Sequence, residues 1–208
     1  MSKVGVQADY TGGIPAEQLT SEVRDAVGRL ADENALLRAS LSEMRARLEE
    51  LEQVADRDTL TPLPNRRYFL RQLDRVVSHA NRHGTPAAVL YIDLNGLQAI
   101  NSTHGHVAGD AALIHVARLL QGLIRSSDFA ARIGGDKFAL VLDHLDHDSA
   151  IETAERIARC IAAEPVDLGG AEVVVEASIG TATILKGDTL EDVMQRADRA
   201  VGRAKTGF

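Results

Sequence analysis

The stretch Phe129-Ala-Ala-Arg-Ile-Gly-Gly-Asp-Lys-Phe-Ala-Leu-Val-Leu142 decides the fold of this chain. It joins two short apolar runs, residues 129–133 and 138–142, through Gly134-Gly135-Asp136-Lys137. Apolar runs on both sides of a glycine-rich tetrapeptide are typical of a β-hairpin, because glycine readily adopts the positive φ that tight turns demand. The stretch therefore predicts two antiparallel strands.

Helix-like and strand-like segments alternate on both sides of this hairpin. Pro62 and Pro64 interrupt any helix that precedes residue 66. We predict helices at residues 66–81, 109–124, 149–163 and 189–205, and strands at residues 87–93 and 173–184. Strands that alternate with helices around one hairpin predict an α/β domain with a central sheet covered by helices.

The bulk composition excludes several classes of protein. Apolar residues make up 45% of the 208 residues, and the net charge of -7 argues against general nucleic-acid binding, which needs a basic surface. The sequence contains no run of 18 apolar residues, so it predicts no membrane-spanning helix. Residues 1–20 lack the pattern of a signal peptide and are interpreted as a flexible tail. One cysteine, Cys160, excludes a disulfide framework and is typical of a cytoplasmic protein.

Residues 21–57 carry a heptad pattern that predicts a parallel dimeric coiled coil. Nine of the ten a and d positions are apolar. The d positions are Val23, Leu30, Leu37, Met44 and Leu51, and the a positions are Val27, Asn34, Leu41, Leu48 and Ala55. A single Asn at an a position, here Asn34, pairs across a two-stranded parallel coil and fixes its register. The alternative is one amphipathic helix lying on the globular domain, which usually shows a wider apolar face.

Several short motifs follow one another in order from Asp58 to the C-terminus. They are Asp58-x-Leu-Thr-x-Leu-x-Asn-Arg-Arg-x-Phe69, Asp93 at a strand end, Asn101, Gly105-His106-x-x-Gly109-Asp110, Arg132-x-Gly-Gly-Asp-x-Phe138, Ser178-Ile-Gly180 and Ala197-Asp198-x-Ala-x-x-x-Ala-Lys205. This series resembles the GGDEF domain of diguanylate cyclases. A lone Gly-Gly-Asp would be weak, whereas the ordered series is specific. The resemblance implies that residues 58–208 form one GGDEF domain with a nucleotidyl-cyclase-like sheet.

The resemblance also implies a reaction. Two GTP molecules, one on each protomer, lie face to face, and each 3′-hydroxyl attacks the other's α-phosphate. Pyrophosphate leaves and cyclic di-GMP forms. Two divalent metals, Mg²⁺ or Mn²⁺, and a carboxylate cluster neutralise the phosphate charge and activate the hydroxyl. Because the reaction needs two domains, a dimerising coiled coil on the same chain suits it.

The family's site residues carry over onto matching positions. Asp93 matches a metal-binding and catalytic carboxylate, and the Leu94 carbonyl is an additional metal ligand. Asp136 keeps one acid at the hairpin, where the resemblance implies a catalytic and metal-binding role. The implied nucleotide-binding residues are Asn101 and Asp110 for the guanine edge, Gly134 and Gly135 for close backbone approach, and Lys205 for phosphate.

Some positions depart from the family pattern. Lys137 stands at a catalytic position where active members carry Glu, and Gln98 stands where a phosphate-binding Lys is usual. Asn95, Ser102 and Pro62 also replace usual residues. A unit-charge pair about 4 Å apart interacts by roughly 4 kcal/mol at a dielectric near 20, so a lysine beside divalent ions opposes their binding. The substitution predicts weak or no cyclase activity, although Lys137 could also replace a metal as counter-charge for bound GTP.

The turn Arg125-Ser-Ser-Asp128 lies at the spacing of the family's inhibitory site. The resemblance implies that Arg125 and Asp128 bind an intercalated dimer of cyclic di-GMP, because Arg hydrogen-bonds a guanine edge or phosphate and Asp accepts from guanine N–H groups. Arg156 on the following helix, or alternatively Arg159, is assigned to the same site. The simpler interpretation is a surface turn with a weak Arg–Asp ion pair.

Three functions remain open on the sequence. The first is a degenerate GGDEF homodimer that binds cyclic di-GMP, with GTP as a second ligand, and signals to a protein partner. The second is an active, feedback-inhibited diguanylate cyclase with Mg²⁺ or Mn²⁺ as cofactor. The third is a coiled-coil scaffold with a vestigial domain. The intact Arg125–Asp128 turn beside the altered position 137 favours the first.

Overall fold

The computed structural model describes residues 20–206, and the chain divides into two units between Ala55 and Asp56. The first unit contains one long helix, α1 (Ser21–Ala55). Its predicted heptad side chains are exposed except that of Val27, which is half-buried; Leu30 is 64% exposed and Leu37 63%. An exposed apolar seam of this length is typical of a helix that pairs with another. The parallel dimer over residues 21–57 stays a prediction, and the predicted tail lies outside the described residues except for Thr20.

The second unit alternates helices and strands. Its helices are α2 (Arg66–His83), α3 (Leu97–His104), α4 (His106–Leu123), α5 (His147–Ala163) and α6 (Leu190–Thr206). Its strands are β1 (Ala87–Asn95), β2 (Phe129–Gly134), β3 (Lys137–Asp143), β4 (Val166–Asp167), β5 (Glu172–Val173) and β6 (Glu176–Ile184). The predicted α/β class with a central sheet covered by helices is confirmed.

The central sheet has the order β2-β3-β1-β6, and each neighbouring pair is antiparallel. β1 is buried from Ala87 to Leu94, as expected for a strand covered on both faces. Its register places Asp93 opposite Lys137 on β3 and opposite Ser178 on β6. Three polar side chains from three strands therefore form one row across the end of the sheet.

Two apolar cores lie on the two faces of this sheet. One contains Leu90 of β1 with α4 and α5 side chains such as Leu120 and Ile157. The other contains Val89 of β1 with α2 and α6 side chains such as Phe69. Because side chains alternate along a strand, Asp93 shares the face of Val89 and lies towards α6.

The structure adds elements that the sequence patterns did not predict. α3 was missed because it has eight residues with only Ile100 buried, too few for a helical period. It lies between Gly96 and Gly105, whose φ values are 73° and 85°. The single strand predicted at residues 173–184 is instead divided between β5 and β6. In the part of the chain that is described, no helix is long and apolar enough to cross a membrane.

The prediction of positive φ at the Gly-Gly-Asp turn is wrong. Neither Gly134 nor Gly135 belongs to the glycines with positive φ. The β2–β3 ladder shifts register between Arg132 and Gly134 and then pairs Gly134 with Lys137. This bulge around Ile133 redirects the strand, so the turn closes without a left-handed residue.

Candidate functional site

Asp93 lies at the end of the buried part of β1, with 6% of its side chain exposed. Its Oδ2 forms an ion pair with Lys205 Nζ at 2.8 Å, and Lys205 comes from the last turn of α6. Its Oδ1 has no hydrogen-bond partner within residues 20–206. A buried carboxylate is costly unless it is paired, so the Lys205 ammonium offsets part of the cost of burying Asp93.

The position of Lys205 depends on how closely α6 approaches β6. A Cβ at Gly180 would overlap the backbone of α6, with Val201 Cα only 2.7 Å away. Arg196 attaches the same helix through hydrogen bonds to Asp188 and to the Thr183 carbonyl. The Arg196 hydrogen bond lowers the pKa of Asp188 despite partial burial of that carboxyl group. Close contact and an ion pair together place Lys205 over Asp93.

Lys137 lies on the same face of the sheet as Asp93, one strand away. Its exposed side chain lines a groove of about 520 Å³ together with Arg66 and Tyr91. Three acidic residues of α6 line the groove as well: Glu191, Asp192 and Asp198. A lysine that stands opposite a buried carboxylate reverses the charge that a Glu would give this row.

A second groove, of about 670 Å³, begins where β1 passes into α3. Of the predicted site residues it is lined by Leu94, Gln98, Asp136 and Lys205. The Leu94 N–H donates to the Asp136 carbonyl at 3.1 Å, which joins the hairpin to the end of β1. The structure thus brings these four residues together, whereas Lys137 faces the other groove.

Asn101 and Asp110, the predicted guanine-reading residues, lie in the α3–α4 corner. Asn101 Oδ1 is buried and has no hydrogen-bond partner in the described part of the chain. A Cβ at Gly109 would overlap this amide, with Asn101 Cγ 2.9 Å away. Gly109 therefore makes room for Asn101, while Asp110 is exposed one residue further along α4.

Gly134 and Gly135 are exposed, and a Cβ on either would meet no atom within 4 Å. Packing within the described part of the chain therefore does not require glycine at these two positions, and the open space beside them leaves room for a ligand. Arg132 supports the turn by donating to the Gly135 carbonyl at 2.7 Å and by pairing with Asp58 at 3.2 Å. Burial opposes ionisation of Asp58, but hydrogen bonds from Thr61 and Arg132 outweigh it and lower its pKa.

The residues around Asp93 do not fit a pair of divalent metals. Mg²⁺ and Mn²⁺ prefer several oxygen ligands. Asp93 already holds the Lys205 ammonium, and Lys137 places a second ammonium in the same row. Over the described residues, no group of three or more His, Cys, Asp or Glu could hold a metal ion. The expected Asp93, Leu94 and Asp136 ligand set thus includes one free carboxylate, that of Asp136.

The Arg125–Asp128 turn precedes β2. Asp128 accepts from the Arg125 N–H at 3.1 Å, the Ser127 hydroxyl at 3.2 Å and the Asp143 N–H at 3.3 Å. The turn is therefore closed by the Asp128 carboxylate rather than by an Arg–Asp ion pair. The Arg125 side chain is exposed and makes no hydrogen bond or ion pair with any described residue.

Arg156 lies on the exposed face of α5. It lines a shallow groove of about 330 Å³ with Arg159, Glu152 and Glu155, and Arg159 pairs with Glu155 at 3.6 Å. Neither Arg125 nor Asp128 lines that groove. The predicted third member of the second site is thus exposed, but the structure does not bring it into a common cavity with the turn.

Two contacts were missed by sequence reasoning. One is the Lys205–Asp93 pair, and the other is the Arg132–Asp58 pair, which ties the first motif to the hairpin. The sequence did contain a signal for the closeness of Asp93 and Lys137. Asp93 ends one predicted strand and Lys137 begins another, so pairing of these two strands would bring the residues together. No local pattern indicates that a residue 112 positions later, Lys205, reaches the same carboxylate.

Comparison with known sequences gives one consistent result. The family model described as "Diguanylate cyclase, GGDEF domain" matches residues 55–207. Diguanylate cyclase DosC from Escherichia coli is 36% identical over 175 residues, covering 81% of this chain and 38% of DosC. The response regulator PleD from Caulobacter vibrioides is 32% identical over 206 residues, covering 98% and 44%. The chain thus spans less than half the length of these relatives.

Solved structures agree with the sequence matches. The coiled coil and GGDEF domain of DgcB from Caulobacter crescentus, in complex with c-di-GMP, gives a TM-score of 0.75 at 29% identity. The match covers 88% of this chain and 95% of that one. Diguanylate cyclase SiaD in complex with its activator SiaC, from Pseudomonas aeruginosa, gives 0.70 at 28% identity, with 89% and 79% covered. Both matches extend beyond the second unit, so they include part of α1.

Proposed function

Because the chain belongs to the GGDEF domain family of diguanylate cyclases, we propose that it is a bacterial cyclic di-GMP-binding protein with weak or no cyclase activity. The observation that carries the proposal is the charge of the strand-end row, which is the row of Asp93, Lys137 and Ser178 across the end of the sheet. Lys137 stands opposite Asp93, and Lys205 already pairs with that carboxylate. A site built in this way has a nucleotide-sized groove, but it carries Lys137 where the family has Glu, and its Asp93 carboxylate already pairs with an ammonium.

The expected loss of turnover follows from electrostatics. In the family's reaction, divalent ions supply the charge stabilisation for the departing pyrophosphate, and carboxylates hold those ions. Here two ammonium groups oppose the ions. Each ~1.4 kcal/mol of lost transition-state stabilisation lowers the rate about tenfold. Replacement of Glu by Lys therefore lowers the rate by orders of magnitude, even when solvent screening and side-chain movement greatly reduce its electrostatic free energy.

GTP remains a second ligand under this proposal. Asn101 keeps a buried amide oxygen without a partner among residues 20–206, and Gly134 and Gly135 leave open space beside the hairpin. Asp110 is exposed near the same corner and can accept from guanine N–H groups. These features support recognition of the base and close approach of the phosphates. Neither contact requires a metal-binding residue at position 137.

Cyclic di-GMP is proposed to bind at the Arg125–Asp128 turn. The exposed Arg125 guanidinium can hydrogen-bond a phosphate or a guanine edge. Asp128 closes the turn but keeps lone pairs for guanine N–H groups, since each carboxylate oxygen accepts more than one hydrogen bond. The DgcB structure in complex with c-di-GMP supports this ligand class, and Arg156 is proposed as an outer contact.

The dimer and its partner complete the proposal. The exposed heptad seam of α1, with Asn34 at an a position, supports a parallel homodimer. SiaD, which was solved with its activator SiaC, supports a protein partner for a chain of this organisation. We place the protein in the cytoplasm, where GTP is available and a lone thiol such as Cys160 stays reduced.

A feedback-inhibited cyclase is the second candidate, and the retention of Asp93 and Asp136 favours it. The two functions differ in their products. Purified full-length protein is incubated with GTP and Mg²⁺ or Mn²⁺, and the nucleotides are separated chromatographically. We expect cyclic di-GMP to stay at background. Accumulation of cyclic di-GMP at the rate of an active family member assayed in parallel would show that the second candidate is correct.

Calorimetric titration with cyclic di-GMP tests the ligand. We expect binding by the wild type and by Arg118→Ala, which removes an exposed arginine of α4, and weak binding by Arg125→Ala. The loss is expected to be about tenfold or more, because a hydrogen bond to a charged group contributes about 1.5–3 kcal/mol. Equal binding by the Arg125 and Arg118 variants would place the ligand elsewhere.

A further inference from the structure

β6 is an edge strand of the central sheet, because β1 pairs with it on one side and no described strand pairs with it on the other. It is nine residues long, and residues 177–184 contain neither a charged residue nor a proline. Its register against β1 runs without a bulge. Charges, prolines and bulges are the usual means by which an edge strand is protected from pairing with another chain. β6 therefore keeps an edge that can accept a further strand.

The backbone of β6 directs alternate residues away from β1. In an antiparallel ladder, every second residue points its N–H and C=O groups away from the partner strand. The Thr183 carbonyl accepts a hydrogen bond from the Arg196 side chain at 2.9 Å, so Thr183 belongs to this outward set. The same set includes Thr181 and Ile179, whose backbone groups bond to no other described element. These groups are available to a partner strand.

A groove of about 550 Å³ between the β6 edge and α6 is strongly basic. It is lined by Arg196, Arg199 and Arg203, and by no carboxylate of the described residues. Arg196 is paired within the fold. The exposed Arg199 side chain bonds only Gln195 of its own helix, and the exposed Arg203 side chain makes no hydrogen bond or ion pair with a described residue. In a chain of net charge -7, this groove selects an acidic partner.

A smaller groove, of about 380 Å³, continues along β6 on the side of α5, and the two grooves share His147. Ile151 and Ala158 of α5 line it, and Ile151 is 39% exposed. The carboxylate that lines it, Glu155, pairs with Arg159. The β6 edge therefore has a basic side towards α6 and a mainly apolar side towards α5.

The two sides match the side-chain alternation of a strand. Successive side chains of a strand point to opposite faces, so residues on one face are about 6.6 Å apart. Arg199 and Arg203 are four residues apart in α6, which corresponds to about 6 Å along the helix. Acidic side chains at alternate positions of an added strand would meet these arginines, and the apolar side chains between them would face Ile151.

We infer that the β6 edge is the docking site for an extended segment of a protein partner in which acidic and apolar residues alternate. The segment adds a strand to the sheet, and Arg199 and Arg203 bind its acidic side chains. The inference rests on the protein-partner part of the proposed function and adds the surface and the chemistry of the partner. A second copy of β6 does not suit this edge, because it would bring the arginines of two copies together.

The test is fluorescence anisotropy with a labelled octapeptide of alternating Glu and Val, titrated with the full chain. We expect the wild type to bind it. The double variant Arg199→Glu/Arg203→Glu should bind about tenfold or more weakly, because the reversed charges repel the Glu side chains. Arg75→Glu/Arg118→Glu is the matched control, since it makes the same change of charge at exposed arginines of α2 and α4 and should bind as the wild type does.

N-methylated peptides distinguish strand pairing from attraction by charge alone. Every second N–H group of an added strand faces β6, so one peptide is N-methylated at its valines and another at its glutamates. We expect one of them to bind about tenfold or more weakly than the unmodified peptide and the other to bind within about threefold of it, because only one carries the methyl groups on the paired side.

The inference is overturned if the wild type does not bind the unmodified peptide up to about 1 mM, if the two double variants bind it equally, or if the two N-methylated peptides bind equally. A lower molar mass of the Arg199→Glu/Arg203→Glu variant in light scattering would also overturn it, since a second copy would then occupy the edge. Cyclic di-GMP is titrated into the same preparations. Binding that still depends on Arg125 would show that the variants are folded and leave that part of the proposed function standing when the inference fails.

Discussion

The strand-end row and the Arg125–Asp128 turn are both candidate nucleotide sites, but their charged groups are engaged differently. In the row, the buried Asp93 carboxylate pairs with an ammonium, and a second ammonium stands opposite it. In the turn, the Asp128 carboxylate is occupied by two backbone N–H groups and a hydroxyl, while the Arg125 guanidinium is exposed.

The difference indicates which residue a ligand can recruit at each place. At the strand ends, Lys205 pairs with Asp93 from the last turn of α6, so a ligand that uses this lysine depends on the placement of α6. At the turn, Asp128 serves the backbone first, and Arg125 remains for a ligand. Perturbing α6 should therefore damage the first site alone, whereas substitutions within the turn should separate stability from binding.

The largest effect is expected from Gly180→Ala. The added Cβ would overlap the α6 backbone at Ala200 and Val201, which cannot move away as a flexible side chain could. We expect the free energy of unfolding to fall by about 3 kcal/mol, as for severe overpacking. Urea denaturation at fixed protein concentration measures it. Binding of GTP, followed by calorimetric titration, should be lost, and binding of cyclic di-GMP should persist while the domain is folded.

Gly202→Ala is the control for that substitution. Gly202 is an exposed helical residue of α6, and a Cβ there meets nothing within 4 Å. Replacing glycine with alanine in a helix should raise stability by up to about 1 kcal/mol. Equal stability of the two variants would mean that close contact at Gly180 does not position α6.

An intermediate effect is expected from a pair of substitutions in the turn. Asp128→Ala leaves the Arg125 and Asp143 N–H groups without their acceptor, so we expect a loss of about 1–2 kcal/mol in the free energy of unfolding. Arg125→Ala removes an exposed side chain and should change it by less than about 0.5 kcal/mol. Urea denaturation of both variants, with cyclic di-GMP titration, shows whether stability and binding separate. If Arg125→Ala lost more stability than Asp128→Ala, the turn would depend on Arg125 rather than on Asp128, contrary to this prediction.

Much of the fold could be predicted because its signals are local. The apolar runs around Gly134-Gly135-Asp136 gave the β2–β3 hairpin, and longer periodic segments gave α2, α4, α5 and α6. α3 could not be predicted because eight residues with one buried side chain carry no helical period. The φ values at Gly134 and Gly135 were mispredicted, since a bulge in β2 replaces left-handed turn residues.

The candidate site was harder to predict than the fold. Individual residues such as Asp93, Asp136 and Lys205 could be named from the motifs, but their contacts depend on packing between distant elements. The Lys205–Asp93 pair requires α6 to lie against β6, which in turn requires Gly180. Asp128 was expected to face a ligand, yet backbone groups of its own turn and of Asp143 occupy it. The Lys205–Asp93 and Asp143–Asp128 contacts join residues far apart in the chain, so no local pattern indicates them.

The smallest effect is expected on the pH dependence of stability, through the Arg196–Asp188 ion pair that attaches α6. The Arg196 hydrogen bond holds the pKa of Asp188 below its ordinary value of 3.8. A carboxyl group whose pKa is lowered by folding stabilises the fold above its unfolded-state pKa, and this contribution is lost as pH falls through the folded-state pKa. We therefore expect the wild type to be more stable than Asp188→Asn by about 0.5–1 kcal/mol at pH 6, as for a partly exposed ion pair.

That advantage should shrink as the pH falls below about 4. Urea denaturation of both proteins at a series of pH values measures it. Arg196→Gln is the matched variant, because it removes the principal cause of the pKa shift, and substituting Asp188 in its background should alter the acid response little. The turn at Asp128 is closed through backbone donors rather than through an arginine. If Asp188→Asn kept the wild-type pH dependence, the contrast between an α6 attached by charge and a turn closed by backbone hydrogen bonds would not hold.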